Sequence, residues 1–91
     1  MFDKKDWEQI DKDYFDVIEV SSYHITLKSR PTGHSWDITC RYHPGGRSLI
    51  ILHRHKDSDP FHEQIRFHPS TVTQAQDLIK EHDTWVLNGK K

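Results

Sequence analysis

Apolar and polar positions alternate along most of the middle of this chain, and the alternation is bracketed by two stretches with helical spacing. Near the start, Trp7, Ile10 and Tyr14 recur three and four residues apart behind Asp3, a residue suited to capping a helix N-terminus, which predicts a short helix over about residues 4–12. From Tyr14 the period changes to two. Phe15 and Val17, then Tyr23, Ile25 and Leu27, face one way while His24, Thr26 and Lys28 face the other, predicting a strand over about 14–28 with a bend or bulge at Ser21-Ser22. After the turn Arg30-Pro31-Thr32-Gly33, a strand over 34–42 sets Trp36, Ile38, Cys40 and Tyr42 against Asp37, Thr39 and Arg41. His43-Pro44-Gly45-Gly46 turns the chain again. Leu49, Ile50, Ile51 and Leu52 then run together, as in a strand covered on both faces, so the strand over 47–55 is expected at the centre of the sheet.

A polar turn, Lys56 to Pro60, leads to a strand over 61–67 with Phe61, Ile65 and Phe67 on one side and His62, Gln64, Arg66 and His68 on the other. Thr71 and Gln74 stand as in a capping box, and Val72, Ala75, Leu78 and Ile79 form one apolar stripe, predicting a helix over about 72–83 before a frayed tail at 84–91. The expected fold is one α+β domain, a four-stranded antiparallel meander with the C-terminal helix on its apolar face. The N-terminal helix is expected across the opposite face, over Ile50 and Leu52; left open, those two residues would suit a partner protein or a homodimer.

Short turns also predict the register. Matching apolar faces pairs Leu27 with Trp36, Ile25 with Ile38 and Tyr23 with Cys40, then Cys40 with Leu49, Ile38 with Ile51 and Trp36 with His53, because a slip of one residue would turn every inward side chain outward. Continued across the 56–60 turn, the same count pairs Leu49 with Phe67, Ile51 with Ile65, His53 with Glu63 and His55 with Phe61. His34, His53, His55 and Glu63 should therefore share the inward face at one end of the sheet, beside Trp36.

Composition changes this picture little. At 91 residues, 33% hydrophobic, the chain buries only about two-thirds of its unfolded surface, and three Trp, three Tyr and four Phe must carry a thin core. With no apolar segment long enough for a bilayer or a secretory signal, a cytoplasmic location is expected, and the single Cys40 is expected to pack rather than react. Charge is divided unevenly: residues 21–56 hold six bases, one acid and five of the eight histidines, whereas both ends are acidic. That basic middle could attract nucleic acid, or the acidic ends could fold over and neutralise it.

Three chemistries could use the histidine end. Neutral imidazoles and a carboxylate suit zinc or another transition metal, making His34, His53, His55 and Glu63 candidate ligands. Gly33-His34, followed by a hairpin and a C-terminal helix, resembles the HicA-type mRNA-cleaving toxins, which have a double-stranded-RNA-binding-domain-like α-β-β-β-α fold; the resemblance implies His34 as the catalytic residue and an RNA substrate. It covers about half the chain, and the strand at 61–67 departs from it. The third and leading expectation is binding without chemistry: a partner protein or small ligand held by His34, Trp36, His53, His55 and Glu63. No nucleotide-binding glycine loop, nucleophile elbow, CxxC or His-Glu-x-x-His motif occurs, so common enzyme classes find no support.

Overall fold

The computed structural model describes residues 1–56 and 58–89; Asp57 of the 56–60 turn and the last two lysines of the expected tail lie outside them. The alternating segments form one antiparallel sheet of five strands, β1 (Phe15–Val20), β2 (His24–Ser29), β3 (Ser35–His43), β4 (Gly46–Arg54) and β5 (His62–Ile65), in the spatial order β1-β2-β3-β4-β5. Two helices accompany it, α1 (Lys4–Glu8) and α2 (Val72–Leu87). The fold is α+β as expected, with one strand more than the meander expected from the sequence.

The extra strand arises because residues 14–28 are a hairpin and not one bent strand. Ser21 closes it: its backbone N–H donates to the His24 carbonyl at 2.8 Å and its hydroxyl accepts the His24 N–H at 3.1 Å. Serine reproduces a backbone turn locally in this way, so a reversal needs neither glycine nor proline. Within the hairpin the register shifts between Val17 and Glu19, leaving Ile18 as the extra, exposed residue of a bulge on an edge strand.

The inner registers match the pairing of apolar faces: Leu27 with Trp36, Ile25 with Ile38, Cys40 with Leu49, Ile38 with Ile51 and Trp36 with His53. Ile25, Leu27, Trp36, Ile38, Leu49 and Ile51 are fully buried and meet Val72, Ala75 and Ile79 of α2. Tyr23 and Phe67, expected in this core, are 50% and 60% exposed. Tyr23 keeps its place opposite Cys40, whose N–H donates to the Tyr23 carbonyl at 2.8 Å, but sits in the turn; β5 ends at Ile65, so Phe67 lies outside the sheet.

Both helices depart from their expected bounds. α1 stops at Glu8 instead of reaching residue 12, because the chain beyond it docks onto α2: the Gln76 amide accepts the Asp11 N–H at 2.7 Å and donates to the Gln9 carbonyl at 2.8 Å. Trp7 is consequently half-exposed, and the segment buries Phe2, Ile10 and Asp6 instead, the last in a bidentate pair with Arg47 at 2.8 and 3.0 Å. Arg47 lies in the inward row of β4, so α1 sits on the same face as α2, at the 43–46 end. The opposite face, with half-buried Ile50 and Leu52, is covered by neither helix, contrary to expectation. α2 runs on to Leu87, four residues past its expected end, since nothing between Val72 and Asn88 breaks a helix; Asn88 caps it and Gly89, at φ 75°, supplies the left-handed residue that terminates it.

Candidate ligand and metal site at the histidine end of the sheet

Each histidine arrives at the sheet end by a different local device. His53 is carried by β4 directly opposite Trp36, and His55 follows two residues later on the same side. His34 lies just outside β3, beyond Gly33 at φ 73°, in a loop whose backbone is held at three points: Gly33 N–H to the Ser29 carbonyl (2.8 Å), Ser29 N–H to the His34 carbonyl (2.9 Å) and His34 N–H to Thr32 Oγ1 (3.2 Å). The three rings form a triangle with centroids 4.4 to 4.9 Å apart, and Trp36 closes one side 4.2 Å from His53. His34, Trp36, His53 and His55 are therefore brought together as expected.

Glu63 is not. Between the pairs Ile51–Ile65 and Leu52–Glu63 the register shifts, with Gln64 as the extra residue on β5, so Glu63 lies opposite Leu52 on the other face and binds His68 at 3.1 Å. The same bulge turns His62 inward opposite His53, with ring centroids 5.4 Å apart. A second histidine that the strands could not reveal comes from α2: His82 stands 5.3 Å from His53, 5.5 Å from Trp36 and 5.5 Å from Trp85, ring to ring. The signal for it was present, because His82 continues the stripe of Ala75, Leu78 and Ile79 at spacings of seven, four and three.

Five imidazoles thus crowd one corner with no carboxylate of Glu63 among them. His53 is fully buried, His34 half-buried and His55 exposed. Burial first, then repulsion from His34, His55, His82 and His62, pushes the His53 pKa down to about 3, so this ring is neutral under physiological conditions. Its Nε2 shares a hydrogen bond with His34 Nδ1 at 3.0 Å, whereas its Nδ1 has no hydrogen-bond partner among the described residues; neither has the buried Trp36 Nε1. One ring nitrogen from each of His34, His53 and His55 lies within 4.8 Å of the other two, so among the described residues these three form a group that could hold a metal.

The corner is braced from behind. Tyr14 donates to Asp83 Oδ2 at 2.7 Å and Thr32 to Oδ1 at 3.3 Å, so a fully buried carboxylate beside His82 ties α2 to the loop bearing His34. Burial, then the Asp83 hydrogen bond, raises the Tyr14 phenol well above its ordinary value, and it stays protonated as a donor. Next to the corner, His82 and Trp85 form part of a groove of about 310 Å³ completed by Ile65, Leu78 and Glu81.

The basic middle of the chain is partly neutralised by the acidic N-terminus. Arg47 is held by Asp6 and Arg30 by Asp16 at 2.9 Å, while Arg54 lies over the Phe61 ring at 4.3 Å. On the open face, nearly buried Asp37 accepts from Thr26 and Thr39 at 3.1 and 2.6 Å and contacts His24 Nδ1 at 3.1 Å. Among the described residues no helix is long and apolar enough to cross a membrane. No family model, curated protein or solved structure matches the chain.

Proposed function

We propose that this protein works by binding, and that it holds a small organic ligand in the groove between β5 and α2, at the histidine end of the sheet. The observation that carries this is the groove's lining: Ile65, Leu78 and Trp85 offer apolar walls, while Glu81 and His82 are its polar groups. Its volume of about 310 Å³ suits one or two rings, and a mostly apolar concavity with a few polar groups is the usual form of a small-molecule site. Trp85, 43% exposed, is a face on which a planar ligand can stack.

Protein-observed NMR with a library of one- and two-ring fragments, indole as reference probe, tests this directly. Aromatic fragments should bind and shift the Trp85 indole resonance in the wild type, and Trp85→Ala should lose them while keeping its melting temperature. Fragments that leave the Trp85 signal unmoved, or that bind the variant equally well, would refute it.

A further inference from the structure

We propose that His34, His53 and His55 form a site for a divalent transition-metal ion, with zinc as the reference, leaving one coordination position open to an anion. The geometry is close to what such an ion requires. Nitrogens bound tetrahedrally to zinc at 2.0–2.1 Å stand about 3.3 Å from one another. His53 Nε2 and His34 Nδ1 are already 3.0 Å apart, and one ring nitrogen from each of His34, His53 and His55 lies within 4.8 Å of the other two. The two closer ligands are the ones held in place, His53 by complete burial beside Trp36 and His34 by its hydrogen-bonded loop. The remaining adjustment falls to His55, which is exposed and can turn toward the ion without disturbing the core.

The protons balance without loss. Two ring nitrogens facing one another at hydrogen-bond distance hold one proton between them, and a metal needs the lone pair of each. The donor ring of the pair moves its single proton to its other nitrogen, so each imidazole remains neutral as the ion enters. If His53 is that donor, its buried, unpartnered Nδ1 receives the proton.

The ligand set also states which metals fit. Three imidazoles with Glu63 turned to the opposite face favour zinc, copper, nickel or cobalt and disfavour magnesium and calcium, which demand oxygen. Three neutral ligands leave the charge of the ion uncompensated, so a hydroxide, carboxylate or phosphate oxygen is the group expected in the fourth position. This site adjoins the organic groove through His82, 5.3 Å from His53, but takes no ligand from the groove's lining, and Trp85 contributes none.

Calorimetric titration of the metal-free protein with Zn²⁺, paired with elemental analysis after dialysis, tests the assignment. The wild type should take up one equivalent and melt at a higher temperature with zinc, and should show no uptake of Mg²⁺. His55→Ala and His34→Ala should each weaken zinc at least about tenfold, which is the scale already seen for losing mere outer-shell partners of a metal. Trp85→Ala and Glu63→Gln should bind like the wild type, so failure of the groove and failure of the metal site are separable. Absence of stoichiometric uptake by the wild type, or equal affinity in His55→Ala and His34→Ala, would overturn the proposal. Should His53→Ala fail to fold, these two substitutions at less buried positions still decide it.

Discussion

His53 is the residue on which the site depends, because it is the imidazole placed wholly inside the protein, between Trp36 and four other histidines. Keeping a base neutral by burial links stability to pH with a definite sign. The unfolded chain protonates His53 from about pH 6.5 downward. The folded protein does so only near pH 3, so between these values the unfolded state binds more protons and stability falls as pH falls. At about 1.4 kcal/mol per pH unit, acidifying from pH 6.5 to 4.5 should cost roughly 2 kcal/mol through this group alone. Urea denaturation of metal-free wild type and His53→Gln at several pH values measures it, and the variant should give the flatter curve. Parallel curves would show that His53 titrates as an ordinary histidine. No such cost arises above pH 6.5, where both states hold the ring neutral.

At the scale of elements, single residues decided which way whole strands face. Alternation carried straight through 61–67 puts Glu63 inward, and Gln64 breaks the count: with one extra residue, Ile65 and His62 point inward while Glu63 points out. Deleting Gln64 should therefore regularise the ladder and leave every face as it is, since Ile51–Ile65, Leu52–Glu63 and His53–His62 would then be consecutive pairs. Nuclear Overhauser contacts between the rings of His53 and His62 should survive the deletion. Contacts from Glu63 to His53 in their place would mean that the strand had slipped. α2 makes the complementary case, because its continuation to Leu87 brings Trp85 to the groove and follows from a sequence free of breakers up to Gly89.

Across the whole molecule, order is graded from the middle of the sheet to its edges. β3 and β4 pair along nine residues each and carry the fully buried Trp36, Ile38, Leu49, Ile51 and His53, whereas β1 is buried only at Phe15 and β5 is four residues long. Amides of Ile38, Cys40 and Ile51 should exchange with solvent only through global unfolding; those of β1 beyond its bulge, of β5 and of α1 should exchange through smaller openings. Hydrogen exchange read residue by residue checks this gradient, and β5 amides as slow as those of β4 would contradict it. Both helices load one face, so the other face, with Ile50, Leu52 and the Asp37 cluster, keeps a single layer.

Local pattern was enough for whatever depends on period and pairing of like with like. The α+β class, the core formed by Ile25, Leu27, Trp36, Ile38, Leu49 and Ile51, and the meeting of His34, His53 and His55 beside Trp36 all follow from alternation carried across short turns, because a misregistered sheet would expose its apolar face. What depends on an odd residue or on contacts distant in sequence was decided by the tertiary structure. The Ser21 turn split one strand into two, and Gln64 exchanged Glu63 for His62. The docking of Gln9 and Asp11 on Gln76 ended α1 early, and its Asp6–Arg47 pair set that helix on the same face as α2. Packing of α2 then placed His82 beside His53. Bulges, turns and buried polar pairs are single-residue events, settled by a local hydrogen bond at Ser21 and by partners far along the chain for Asp6 and Gln76, and no periodicity records them.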